Sequence, residues 1–255
     1  MILLLDLGNT RLKWMRLTAD GLCPGGSITH RDADFSASLR NAWSALELPK
    51  RIVAASVARS EVQVALDAWA QQQWGTRVEF VTPQAKLAGV TNGYRRPERL
   101  GVDRWVALLA AHDRFPGAVS IVDCGSAVTI DALNGAGEHL GGLIAPGLGT
   151  MHRSLTGGDI NLDAGAGLDA IPAELLGHDT AQAVGHGIHY CLAAFIDRVC
   201  DQFDEQLGAT SLRLLTGGDA VRMRPLLRGD YRLEPDLVLE GLAVIVRTGQ
   251  GVNVA

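Results

Sequence analysis

The chain opens on an apolar run, Ile2 to Leu5, which breaks at Asp6-Leu7-Gly8-Asn9-Thr10 and resumes from Leu12 to Leu17. Two apolar stretches around a polar, Gly-containing turn predict a β-hairpin. A third strand is expected near Ser27 to His30. Helical spacing then covers Phe35 to Leu46, a buried strand Arg51 to Val57, a helix Glu61 to Trp74 and a strand Val78 to Thr82. This β-β-β-α-β-α-β order is an α/β pattern built on a mixed sheet. Thr91 to Gly101 is polar and rich in Arg, Pro and Gly, and reads as a loop. A helix from about Asp103 to Arg114 follows, and Pro116-Gly117 breaks the chain.

The same pattern then begins again. Val119 to Cys124 is an apolar strand, Gly125-Ser126 a turn, Val128 to Leu133 the returning strand and Gly141 to Pro146 a third. A helix-turn region leads to a long helix from about Thr180 to Gln206. Leu212 to Leu215 is a strand ending in Thr216-Gly217-Gly218-Asp219, and Leu237 to Arg247 closes the chain as a helix. The unit Asp6-Leu7-Gly8-Asn9-Thr10 thus recurs in kind as Asp123-Cys124-Gly125-Ser126-Ala127, about half a chain later. The expected organisation is two similar halves, residues 1–117 and 118–255.

Composition narrows the classes. The 255 residues are 47% hydrophobic and 20% charged, with a formal charge of −5. That balance is ordinary for a globular protein and argues against general affinity for nucleic acid or anionic membranes. No stretch is long and apolar enough to span a bilayer. The first apolar run lacks a basic leader and meets Asp6 too soon for a signal peptide, so it reads as a strand. Cys23, Cys124, Cys191 and Cys200 form no C-x-x-C pair, and free thiols in a reducing cytoplasm are expected. His186 and His189 lie three apart, without a carboxylate or Cys at a matching position. Helix packing suits them better than a metal.

Three constellations carry candidate chemistry. Each Asp-turn unit suits phosphate: Gly allows close backbone approach, N–H groups and hydroxyls donate, and the strand-end Asp can hold a metal. A plain hairpin is the better explanation of one such unit alone; two at half-chain spacing, each at a strand end, reverse the balance and favour the phosphate reading. The chain has no G-x-x-x-x-G-K-[ST] element, so a P-loop or Rossmann mechanism is not expected. The second constellation is Leu100-Gly101-Val102-Asp103-Arg104-Trp105. Asp103 is placed either to cap the helix or to act as general base, and Arg104 either to bind a carboxylate or to carry surface charge. Tyr94, in the preceding loop, either closes over a substrate or packs. The third comprises Gly141-Gly142-Leu143-Ile144-Ala145-Pro146-Gly147 and Thr216-Gly217-Gly218-Asp219, glycine-bordered strands that suit either close ligand approach or turns. Thr180 either contacts a ligand or caps the long helix.

In this order and at this spacing, the set resembles the type III pantothenate kinases, from Met1 to about Leu242. The resemblance implies a duplicated ribonuclease-H-like fold, shared with acetate and sugar kinases, Hsc70 and actin, with two halves around a nucleotide cleft. It implies transfer of phosphate from ATP to pantothenate, giving 4′-phosphopantothenate, the first step toward coenzyme A. Asp6, Leu7, Gly8, Asn9, Thr10, Arg11, Leu12 and Lys13 would carry the ATP phosphates, with Asp6 helping to hold Mg²⁺ and Ser126 also touching ATP. Tyr94, Gly101, Val102, Asp103, Arg104 and Thr180 would contact pantothenate, with Asp103 as proton acceptor. Asp123 would hold a monovalent cation, K⁺ or NH₄⁺. A cytoplasmic homodimer is implied, and apolar residues on several sides of the Asp103 helix and of the long helix are in keeping with a second copy. Ser126 departs from the family's usual Thr, keeping the hydroxyl and losing a methyl. The other readings are another small-molecule kinase on the same scaffold, differing around Tyr94 to Arg104, and a non-catalytic regulatory relative.

Overall fold

The structure is a computed structural model that describes residues 1–30, 34–157, 167–168 and 170–249. Part of the expected helix-turn region before Thr180 therefore lies outside the described residues. Contacts divide the chain into two compact units, Met1–Arg114 with Asp236–Ala255, and Phe115–Pro235. The last helix accordingly belongs with the first unit, where a split at residue 117 assigns it to the second.

In the first unit, β1 (Ile2–Leu7), β2 (Arg11–Thr18), β3 (Gly21–Thr29), α1 (Phe35–Trp43), β4 (Arg51–Ser56), α2 (Ser60–Trp74) and β5 (Val78–Phe80) follow in order. The sheet runs β3-β2-β1-β4-β5, with β1 antiparallel to β2 and parallel to β4. A small hairpin, β6 (Lys86–Leu87) and β7 (Val90–Thr91), precedes α3 (Val102–Arg114). Strand alternation sorts the side chains of β1. Leu3, Leu5 and Leu7 join Leu12, Trp14, Leu39, Trp43, Leu66 and Trp69 in one core. Within it the Trp14 and Trp43 rings meet edge to face at 5.8 Å, and Trp43 stacks on Trp74 at 5.2 Å.

The intervening residues Leu4 and Asp6 point to the opposite face, where the closing helix of the chain packs on β1 and β4 and α3 packs on β4. Those two helices touch closely. A Cβ at Gly241 would stand 2.0 Å from the Val106 carbonyl oxygen, so only glycine admits the crossing. Trp105, Val106, Leu108 and Leu109 are all fully buried. The surplus apolar surface read on the Asp103 helix is thus covered within the chain, because the closing helix returns to cover it.

The second unit repeats the plan with β8 (Val119–Cys124), β9 (Ala127–Leu133), β10 (His139–Pro146), α4 (Leu148–Thr156), α5 (Thr180–Leu207), β11 (Leu212–Thr216), α6 (Ala220–Met223) and β12 (Tyr231–Leu233). Its sheet order, β10-β9-β8-β11-β12, matches the first position for position. Backbone links match too. Val57 N–H donates to Leu7 O at 3.1 Å, and Asp219 N–H to Cys124 O at 2.9 Å. Val122 and Cys124 pack with Ile188, Leu192 and Ile196 of α5, which leaves Asp123 on the other face of its strand, as Asp6 is on its own. The closing helix, α7 (Leu237–Thr248), returns to the first unit.

Candidate active site

The turn between β1 and β2 is closed by Gly8 N–H donating to Arg11 O at 3.0 Å; its counterpart is closed by Gly125 N–H donating to Ala127 O at 3.0 Å. Asp6 sits across the ladder from Lys13 and is half-buried. Burial pushes its carboxyl up to about 6; Lys13 pulls it down, and Asp103 adds a further upward push by like charge. Asp103 is therefore a close electrostatic neighbour of Asp6 in the first unit. Alternation aims Asp6 at the face where α3 packs, and the N-terminal turn of α3 supplies Asp103.

Asp103 lies one residue inside α3 rather than at the cap, and its Oδ1 accepts from Arg104 N–H at 2.8 Å. A Cβ at Gly101 would come 2.8 Å from that oxygen, so a small residue is needed there. Arg104 carries no surface charge: it is only 7% exposed. Its Nη1 donates to the Tyr94 hydroxyl at 2.8 Å, and its guanidinium lies 5.5 Å from the Tyr94 ring centroid. The Tyr94 loop is tied down by Asn92, whose Nδ2 donates to Gln84 O and Pro97 O at 3.2 Å and whose Oδ1 accepts from Tyr94 N–H at 3.0 Å. The structure thus brings Asp6, Lys13, Asp103, Arg104 and Tyr94 into one unit. Leu7, Leu12 and Val102 are buried, so the backbone is what Leu7 and Leu12 have to offer a ligand; Asn9 and Arg11 are exposed.

In the second unit the Thr216–Asp219 turn folds onto Asp123. A Cβ at Gly217, whose φ is +95°, would stand 2.4 Å from Asp123 Oδ1 and 2.5 Å from Cys124 O. Asp123 and Asp219 both push the Cys124 thiol upward, after burial, the dominant cause. Asp219 pairs with Arg222 at 3.3 Å. Ser126 is exposed, and its carbonyl accepts from Gly147 N–H at 3.1 Å and from Thr150 Oγ1 at 2.8 Å. The Gly141–Gly147 strand thereby ends against the second Asp-turn. Thr180 does not cap α5: Asp179 does, accepting from Gln182 N–H at 2.8 Å. Thr180 instead lines an apolar pocket of about 540 Å³ with Met151, Leu155, Val184, Ile188 and Cys191. No group of three or more His, Cys, Asp or Glu side chains among the described residues is arranged to hold a metal ion.

A family model described as type III pantothenate kinase matches residues 2–202, a span that carries both Asp-turns, the Asp103-Arg104 pair and Thr180. The chain belongs to the type III pantothenate kinase family. It is 39% identical over 252 residues to the type III pantothenate kinase of Nitrosococcus oceani, covering 97% of this chain and 94% of that one. It is also 39% identical over 247 residues to that of Laribacter hongkongensis, covering 97% and 99%. Among solved structures it is similar to a conserved putative Baf family transcriptional activator from Campylobacter jejuni, with a TM-score of 0.56 and 20% identity over 97% and 98% of the two chains. That likeness speaks for the fold alone. Together with the two matching sheets, it makes the fold of this type III pantothenate kinase family member the duplicated ribonuclease-H-like one.

One residue beside the candidate site escaped sequence reasoning: His30 donates from Nε2 to Gly8 O at 2.7 Å. It had no signal, because a His at the end of a strand belongs to no phosphate motif. Asp219, in the Thr-Gly-Gly-Asp unit read from the sequence, shares the electrostatic field of Asp123.

Proposed function

We propose that the chain transfers the γ-phosphoryl group of ATP to the primary hydroxyl of pantothenate, the reaction in the name of its family. The observation that carries this is the pairing of Asp6, beside the phosphate turn, with Asp103 in the same unit. Phosphoryl transfer asks a protein mainly to position the reactants and balance charge. The turn amides and Lys13 receive the phosphates. Asp103 accepts the hydroxyl proton, and Arg104, oriented by Tyr94, faces the substrate carboxylate. The Asp6 carboxyl, raised to about 6 by burial, is suited to a cation supplied with the nucleotide. One carboxylate plus phosphates and waters is the usual Mg²⁺ environment, and such a cation neutralises phosphate charge. ATP consumption by purified protein, followed with and without pantothenate, tests the reading. Turnover that requires pantothenate is expected; turnover driven equally by other alcohols, or none, overturns it.

Asp123 is proposed to hold a monovalent cation, supported by the second carboxylate at Asp219 and the carbonyl of Cys124 beside it. Activity is expected to be low in Na⁺ or Tris buffers and to rise on adding K⁺ or NH₄⁺. Asp123→Ala should abolish the rise, and full wild-type rate without either ion removes the assignment.

The active form is proposed to be a cytoplasmic homodimer joined through the α4–α5 face. Its support is the apolar pocket there, with Leu155 42% exposed and Thr180 at its rim. Exposed apolar surface of this kind commonly meets a two-fold copy of itself. Light scattering at micromolar concentration should give twice the chain mass, and Leu155→Glu should yield monomers of lower activity. A monomeric wild type working at full rate contradicts the dimer.

A further inference from the structure

A peptide turn offers a phosphate two kinds of group. Its N–H groups attract the anion and its carbonyl oxygens repel it, so a useful turn must keep its carbonyls turned away. In the β1–β2 turn, two of the carbonyls are held by the end of β3. Gly8 O accepts from His30 Nε2 at 2.7 Å, and Thr10 O accepts from His30 N–H at 3.2 Å and Thr29 Oγ1 at 3.3 Å. The His30 ring is fixed independently of the turn, edge-on to Phe35 at 6.0 Å where α1 begins. A carbonyl oxygen can only accept, so Nε2 carries a hydrogen, a condition that both one neutral tautomer and the imidazolium meet.

We infer that His30 is a positioning residue for the nucleotide phosphates: it pins the Gly8 carbonyl so that the turn presents N–H groups and not oxygen to ATP. The inference rests on the reading of this turn as the phosphate site. It makes no use of a proton transfer, and His30 does not touch the reacting atoms. Without the strap, the peptide after Gly8 is free to rotate, and its oxygen competes with the phosphate for the same space.

Four proteins compared by steady-state kinetics decide the matter. His30→Phe keeps a ring against Phe35 but removes the donor; its melting temperature should stay near wild type. Its KM for ATP should rise roughly 5–150-fold, the range expected when one acceptor loses its partner, with KM for pantothenate unchanged. His30→Gln, whose amide restores a donor, should recover most of the ATP affinity and keep the wild-type pH profile. Lys13→Ala tests the underlying site and should also weaken ATP selectively. Wild-type ATP affinity in His30→Phe, or equal loss of both affinities, overturns the strap while leaving the site intact. An unchanged ATP affinity in Lys13→Ala removes the phosphate-site reading, and the strap with it. Should His30→Phe fail to fold, His30→Gln titrated calorimetrically with a non-hydrolysable ATP analogue replaces it, and binding weakened as far as in Lys13→Ala counts against the strap.

Discussion

Asp103→Asn is expected to lower kcat by roughly 10²–10⁴-fold while leaving the fold intact, the range for losing a general base. The amide keeps an oxygen where Asp103 Oδ1 accepts from Arg104 N–H, so the first turn of α3 retains its hydrogen bond. What the amide lacks is the basicity to take the pantothenate hydroxyl proton. KM for ATP should change little if Asp103 acts, as proposed, on the acceptor. One side effect is predicted: removing a like charge should lower the pKa of the Asp6 carboxyl. Single-turnover kinetics with matched thermal melts make the check. A variant with a near wild-type chemical step and an unaltered melt removes Asp103 from the base role.

The second large effect concerns Asp6, where catalysis and stability should oppose one another. Its carboxyl stands near 6 in the fold against an ordinary 3.8, mainly through burial. The folded chain therefore holds this proton more tightly than the unfolded chain. The stabilising contribution is fully present below about 3.8 and is lost as pH rises through about 6. Above that, the ionised buried group costs about 1–3 kcal/mol, the upper figure being the whole displacement at 1.36 kcal/mol per pKa unit. Asp6→Asn should therefore make the ligand-free protein more resistant to urea at pH 8, in EDTA, and give no such gain at pH 4. Its activity should fall at least tenfold, through weaker binding of the ATP-borne cation. Equal stability changes at both pH values remove the electrostatic argument. Unimpaired activity removes Asp6 from the phosphate site.

Much of the structure around the candidate site in the first unit was legible because it is local. Asp6-Leu7-Gly8-Asn9-Thr10 is a contiguous turn between two apolar strands, and a contiguous turn declares its own geometry. Asp103 and Arg104 are adjacent at the start of an evident helix. Most strand and helix positions followed from periodicity for the same reason, with β8 placed at Val119–Cys124 by sequence and structure alike. The short elements escaped: β6 and β7 have two residues each, too few to show a period, and α6 has four.

The sequence by itself determined the duplication, the two Asp-turns and the family, since these reside in the order and spacing of residues along the chain. Only the tertiary structure decided what meets what. It brought Asp103 within electrostatic reach of Asp6, because alternation along β1 turns Asp6 toward the face where α3 packs. It spent one guanidinium nitrogen of Arg104 on Tyr94, ten residues away, and brought His30 onto the Gly8 carbonyl across twenty-two. It also returned α7 to the first unit, covering the apolar surface of α3 through a glycine that no pattern in the chain marks as a contact. Local hydrogen bonds and strand periodicity are written in neighbouring residues. Pairings across the fold depend on how faces of strands and helices are brought together, and that is set by the packing of the whole core.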